Sequence, residues 1–178
     1  MLQPAENPLL SETQIEEIVD RVAARIAEDY RGASIMMVGL LTGAFVFMAD
    51  LARALSRYGV RIEEVDFIIA SSYEGTESSR NVQILRDLRT DVQGRNILLV
   101  DDILDTGNTL LKIRRLLETR EPSRLACCCL LDKPSRREVE LDVEYIGLEI
   151  EDRFVIGYGL DYNQDYRALP YITEMVEK

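Results

Sequence analysis

Apolar residues recur along the chain at two different spacings, and the alternation between them lays out most of the fold. Residues 1–10 read as a loose arm ending at a helix cap, because Ser11 is followed three residues on by Gln14, a capping-box pair. Ile15, Ile18, Val19, Val22 and Ile26 follow at helical spacing and predict an amphipathic helix over about 12–29. Ser34 to Leu40 is a continuous apolar run, the mark of a buried strand, and Ala44 to Tyr58 returns to helical spacing before Gly59. Further strands are expected at Val65–Ser71, at Ile97–Val100 after a turn at Gly94, at Leu125–Leu131, and in two short runs, Val143–Ile146 and Phe154–Tyr158. A helix is expected over Thr109–Thr119. Strands that are apolar throughout and separated by helices indicate a parallel sheet covered on both faces. The predicted class is therefore α/β, a doubly wound, mostly parallel sheet with flanking helices.

One stretch interrupts this alternation. Residues 72–90 are polar and lack helical periodicity. A long insertion in a compact α/β chain is either a lid over a ligand or an ordinary surface hairpin. The 178 residues match one domain, residues 1–178, large enough to bury a core without staples. No apolar run reaches the length of a membrane span, and the first dozen residues lack the basic and apolar regions of a secretory signal.

Charge and missing residue types narrow the chemistry. With 21 Lys and Arg against 32 Asp and Glu the net charge is −11, which argues against a nucleic-acid-binding face but not against small anions held at a local site. There is no histidine, so Ser-His and Cys-His nucleophilic machinery and the usual zinc sites are excluded. Acid–base work falls to Asp, Glu, Lys or Tyr. The three cysteines are consecutive, Cys127 to Cys129, and alternate faces if they lie on a strand. They read as apolar filler in a reducing, cytoplasmic chain rather than a disulfide framework.

The most informative run is Ile97 to Leu110. An apolar strand leads into Asp101 and Asp102, a short loop carries Asp105, and Thr106, Gly107, Asn108 and Thr109 open the next helix. Ligands of open α/β sheets bind beyond the carboxyl ends of the strands. The start of a helix offers free N–H groups and the positive end of its dipole, and Gly107 permits close backbone approach. This is a phosphate cradle, though not a Walker loop, since no Gly-Lys-Ser/Thr is present. The adjacent carboxylates suit two ribose hydroxyls or a hydrated Mg²⁺. A phosphate site beside a diol site describes a phosphorylated ribose.

This run resembles the phosphoribosyl-diphosphate signature of type I phosphoribosyltransferases, and the chain over about residues 10–172 is similar to the hypoxanthine-guanine branch of that family. Leu40-Leu41-Thr42-Gly43-Ala44-Phe45 resembles the pyrophosphate loop, and Ser71-Ser72-Tyr73 the Ser-Tyr pair that opens a flexible lid over about 72–90. Leu131-Asp132-Lys133 resembles the purine-contacting lysine segment. Phe154 to Asn163, with Arg167 following, resembles a C-terminal hood that with the N-terminal arm spans about 150–172.

The resemblance implies transfer of a 5-phosphoribosyl group from phosphoribosyl diphosphate to N9 of a 6-oxopurine, with IMP or GMP and pyrophosphate as products. It implies that Asp101 and Asp102 hold the ribose hydroxyls and Mg²⁺, and that Asp105, Thr106, Gly107, Asn108 and Thr109 hold the 5′-phosphate. Asp105 becomes the candidate general base near purine N7, or else only orders the phosphate loop. Leu41, Thr42, Gly43 and Arg167 are expected on the pyrophosphate, Arg167 having as its alternative a salt bridge to a nearby acid. Ser72 and Tyr73 are expected to close over the site and exclude water. Lys133 is expected to donate to the purine O6, being donor-only and so favouring an oxo over an amino group, unless it is a plain surface lysine. Phe154 is expected to stack on the purine or else to pack in the core. The Val155 main chain is expected at the pyrimidine edge, and Asp161 as ligand of a second Mg²⁺. A homodimer or homotetramer is expected, with helix 44–58 as its interface.

Three positions depart from the family pattern, one of them Asp101, where many relatives have Glu. Thr42 stands where a basic residue is common, and Asn108 where some members have Lys. The resemblance also implies a cis peptide at Leu41-Thr42. The rival readings are a transferase preferring xanthine or guanine, and a regulator that senses phosphoribosyl diphosphate without catalysis. The acidic chain, with no basic face, speaks against the second.

Overall fold

The computed structural model describes residues 2–72 and 82–177. A short strand β1 (Leu2–Pro4) precedes helix α1 (Glu12–Asp29), which leads to β2 (Ser34–Leu41), α2 (Phe45–Arg57) and β3 (Arg61–Ser72). Then come β4 (Val82–Arg86), β5 (Asn96–Leu104), α3 (Asn108–Glu118) and β6 (Arg124–Asp132), followed by a single 3₁₀ turn at Pro134–Arg136. Three short strands close the chain: β7 (Tyr145–Glu149), β8 (Val155–Ile156) and β9 (Thr173–Glu177).

The capping box at the start of α1 is present on both sides. The Gln14 N–H donates to Ser11 Oγ at 3.3 Å, and the Ser11 N–H donates to Gln14 Oε1 at 2.9 Å. Such a cap contributes about 1 kcal/mol to its helix. The central sheet has the order β4-β3-β2-β5-β6-β7, parallel except for β4, which runs antiparallel to β3 at the edge. Because successive strand residues face opposite ways, the apolar runs feed two cores. Ile35, Met37, Leu98, Val100 and Cys128 pack with α1 and α2 on one face. Met36, Val38, Ile97, Leu99, Cys127 and Cys129 pack with Leu110, Ile113 and Leu117 of α3 on the other. The three free thiols are therefore buried filler of the inner strand β6, as their spacing implied.

The main differences from the sequence reading lie at the polar margins. Strand β3 starts four residues earlier than its apolar run, because Glu63 accepts from Ser34 Oγ at 2.8 Å and Glu64 binds Arg95 at 2.8 Å. Strand β5 continues through Asp101 and Asp102 to Leu104, with Asp101 opposite Cys129 and Ile103 opposite Leu131. The acid pair thus lies in the end of the strand, which runs two residues past it to Leu104. Of the insertion, β4 is an edge strand, so part of it is a hairpin arm. The chain ends meet in a second, three-stranded sheet, β1-β9-β8, with a further bridge between Leu10 and Ile172.

Candidate active site

From β2 the chain passes outward to β3 and then returns to β5 on the other side of β2, so the strand order reverses between β2 and β5. Such a reversal leaves a crevice at the carboxyl ends of the two strands. A cavity of about 220 Å³ lies there, lined by Leu40, Leu41 and Gly43, by Asp101 to Leu104, and by Asp105, Thr106, Gly107 and Thr109. Two segments that are far apart in sequence, each singled out for anion binding, thereby form one cleft.

On the β2 side the Leu41–Thr42 peptide is cis, as expected at that step, and Thr42 is exposed. Gly43 is pressed against the opposite wall: a Cβ placed there would stand 1.8 Å from Asp102 Oδ2 and 2.7 Å from its Cγ. Only glycine permits this approach. Gly159 packs in turn on the Gly43 carbonyl, and its own carbonyl accepts from Arg167 Nη1 at 2.7 Å. The C-terminal segment is thus tied to the cleft through backbone contact.

On the β5 side Asp101 and Asp102 lie side by side. The Asp102 N–H donates to Asp101 Oδ1 at 3.0 Å, and the Ile103 N–H to Asp102 Oδ1 at 2.8 Å. Burial raises the Asp101 pKa well above the usual carboxylate value, and the charge of Asp102 raises it further. Burial raises Asp102 as well, offset in part by the Asp101 side chain, the Ile103 N–H and Arg167. Adjacent desolvated carboxylates titrate as a pair, and a cation beside them relieves both charges. Hard oxygen donors in an open cleft fit Mg²⁺, which takes one or two carboxylates together with water and substrate phosphate.

The loop from Asp105 to Thr109 turns at Gly107, whose φ of +86° is left-handed, and α3 begins at the next residue. Thr106 Oγ1 accepts from Asn108 Nδ2 at 3.2 Å. Asp105 Oδ1 accepts from Arg136 Nε at 3.2 Å, and Arg136 lies 3.8 Å from Asp152. The neighbouring Arg137 donates to the Asp105 carbonyl and to the Asp132 carboxylate. Neither arginine is among the residues expected from sequence. The available signal was two adjacent cations, directly after Lys133-Pro134-Ser135, in a chain of net charge −11.

Lys133 follows β6, and its N–H donates to the Leu104 carbonyl at 2.9 Å, which sets it beside the Asp105–Thr109 loop. It is buried, not a surface lysine, with its Nζ 4.0 Å from Asp152. Phe154 is 53% exposed and so is not core filler; its ring meets Tyr162 edge-on at 5.7 Å. Val155 is buried in β8. Arg167 and Asp161 pair with each other at 2.8 Å, and the second Asp161 oxygen accepts from the Gln164 N–H at 2.8 Å. The salt-bridge alternative for Arg167 is therefore the arrangement seen. Ser72 ends β3, opposite Val82, and Tyr73 lies outside the described residues.

The chain matches a family model described as the phosphoribosyl transferase domain over residues 8–163. It is 48% identical over 171 residues to a hypoxanthine phosphoribosyltransferase of Escherichia coli strain K12, covering 94% of each chain. It is 43% identical to a hypoxanthine-guanine phosphoribosyltransferase of Staphylococcus epidermidis, covering 97% of this chain and 94% of that one. A solved structure of Trypanosoma cruzi hypoxanthine phosphoribosyl transferase superposes with a TM-score of 0.92 at 37% identity, over 98% of this chain and 93% of the other.

Proposed function

Since the chain belongs to the phosphoribosyl transferase family, we propose that it is a purine-salvage enzyme that moves the 5-phosphoribosyl group of phosphoribosyl diphosphate to N9 of hypoxanthine and of guanine. The products are IMP or GMP and pyrophosphate. The observation that carries this reading is one 220 Å³ cleft at the strand reversal, which joins the Leu41–Gly43 turn, the half-buried acid pair and the loop at Asp105–Thr109.

In this reading the 5′-phosphate sits in the Asp105–Thr109 loop, against the N-terminus of α3. Asp101 and Asp102 take the ribose hydroxyls and would hold Mg²⁺. When bound, Mg²⁺ would neutralise the pyrophosphate as it departs. Main-chain groups of Leu41, Thr42 and Gly43 face the pyrophosphate. Arg167, turning from Asp161, brings a planar fork of donors to the same anion, and the released Asp161 carboxylate would hold a second Mg²⁺. Lys133 donates to O6, Phe154 covers the purine face, and the main chain at Val155 meets the pyrimidine edge. Asp105 takes the proton from the purine as N9 bonds to the ribose C1 and the C1–O bond to pyrophosphate breaks. C1 carries oxocarbenium-like charge in between, so water must be kept out, the work assigned to Ser72 and Tyr73.

A lysine cannot accept a hydrogen bond, which disfavours the amino group of adenine. Three free thiols fit a reducing compartment, the cytoplasm. Among the described residues no helix is long and apolar enough to cross a membrane. Partners are phosphoribosyl diphosphate and the purine base, with assembly as a homodimer or homotetramer; oligomeric state is a subject of the Trypanosoma cruzi structure.

The deciding experiment follows nucleotide formation by ultraviolet absorbance with phosphoribosyl diphosphate, Mg²⁺ and, separately, hypoxanthine, guanine, xanthine or adenine. Turnover of hypoxanthine or guanine, lost without Mg²⁺ and slowed in Asp105→Ala, supports the reading. Turnover of xanthine alone would move the specificity. Clear binding of phosphoribosyl diphosphate with no turnover of any base would favour a sensor.

A further inference from the structure

A loop that aims its N–H groups at an anion must aim its carbonyls elsewhere, and those carbonyls need donors behind the loop. In this chain two consecutive residues, Arg137 and Glu138, meet that need, and Val139 packs beside them. Glu138 N–H donates to the Thr106 carbonyl at 3.0 Å, and the Glu138 carboxylate accepts from Asn108 Nδ2 at 2.9 Å. Gly107 lies flat against the next two contacts, since a Cβ there would stand 2.9 Å from Val139 Cγ2 and 3.1 Å from Arg137 Cδ. Arg137 Nη1 donates to the Asp105 carbonyl. Every residue from Asp105 to Asn108 is thus held from behind by the segment 137–139.

Arg137 has a second hold. Its Nη2 binds the carboxylate of Asp132, the last residue of β6 and the neighbour of Lys133. Its side chain is 19% exposed and that of Asp132 12%, so this pair is largely withdrawn from water. The neighbouring Arg136–Asp105 pair is about half exposed on both sides and is worth little by comparison. One planar guanidinium therefore links the strand end that carries Lys133 to the loop that carries Asp105. A lysine, as a point charge, cannot hold both partners in fixed geometry.

We propose that Arg137 is a positioning residue, a strut that fixes the Asp105–Asn108 loop for the 5′-phosphate and sets its distance from the Lys133 strand end. This rests on the reading of that loop as the 5′-phosphate site. Arg137 touches no reacting atom; it acts through the Asp105 main chain and through Asp132.

The test compares binding of IMP and of inosine, which differ only in the phosphate, to full-length wild type, Arg137→Met, Arg137→Lys and Asp132→Asn by titration calorimetry, with thermal unfolding alongside. Loss of a charged hydrogen bond predicts that Arg137→Met weakens IMP about tenfold or more while inosine is unchanged. Arg137→Lys and Asp132→Asn give smaller losses in the same direction, and they carry the test if the methionine variant does not fold. An IMP-to-inosine affinity ratio equal to wild type in the folded variants, with or without a lower melting temperature, overturns the strut. If wild type itself binds IMP no more tightly than inosine, the phosphate-site reading fails first, independently of Arg137.

Discussion

Gly43→Ala tests the cleft with a single methyl group. The added Cβ would fall 1.8 Å from Asp102 Oδ2, well inside contact, and Asp102 has little room to retreat because its other oxygen holds the Ile103 N–H at 2.8 Å. Either the Leu41–Gly43 turn moves outward or Asp102 leaves its rotamer, and each outcome displaces a wall of the cleft. Overpacking of this kind costs about 1–3 kcal/mol. If that cost falls on the ligand-competent arrangement, kcat/KM for phosphoribosyl diphosphate drops by about ten- to a hundredfold. Gly39→Ala is the control. A Cβ there meets the flexible Met48 Sδ at 2.3 Å and Phe67 Cδ1 at 3.0 Å, inside the core and away from the cleft lining. It should lower the melting temperature by about 2–4 °C per kcal/mol and leave the kinetics of the folded protein close to wild type. Steady-state kinetics and thermal unfolding of the two variants separate the cases. A Gly43→Ala enzyme with wild-type kcat/KM for phosphoribosyl diphosphate would refute the close approach as the reason for glycine.

Three further outcomes follow from the same geometry. Lys133→Gln should lower kcat/KM for hypoxanthine about tenfold or more while raising adenine relative to it, measured by competing the two bases; an unchanged base preference would remove Lys133 from the O6 contact. Burial, then the Asp102 charge, raises the Asp101 pKa, so the folded chain holds that proton more tightly than the unfolded one, and the resulting stability is lost as pH rises through the folded value. Asp101→Asn should therefore melt increasingly above wild type as pH is raised from about 5 to 8 in chelator, while losing activity; a gap that narrows with pH contradicts this sign. Thr42→Lys should reduce the Mg²⁺ concentration needed for half-maximal turnover, and an unaltered Mg²⁺ dependence counts against the exposed Thr42 as a missing positive charge.

What could be read from the sequence was what local spacing determines. The helix over residues 12–29 has its cap and its buried face in one stretch of chain, and Glu12–Asp29 is the result. The acid pair and the Gly107 turn were legible because strand, carboxylates and helix start are contiguous. Strand β4 was not, since Gln83, Leu85 and Arg86 at a sheet edge are exposed and carry no apolar periodicity. The small sheet was missed because β1 and β9 acquire partners only when the chain ends meet, Leu2 against Glu177. The Arg137 contacts escaped for the same reason: its partners Asp105 and Asp132 come from different strand ends. The pairing of Arg167 with Asp161 depends on the fold of the intervening turn, where Asn163, Gln164 and Tyr166 all have positive φ.

The three thiols of β6 give the protein an internal reporter of its own opening. Burial pushes the Cys127 thiol up to about 12, Cys128 higher still, and Cys129 well above the usual thiol value. At neutral pH the reactive thiolate is thus nearly absent in the closed fold. Cys128 faces the α1–α2 layer and its two neighbours face α3, so a thiol reagent reaches all three only when both layers part. Cys128 should then react at the rate at which the α1–α2 layer parts, and Cys127 and Cys129 at the rate at which α3 lifts, and equal rates mean that the two layers open as one unit. Tight ligands in the cleft slow that clock by mass action, which turns three inert side chains into a built-in gauge of occupancy.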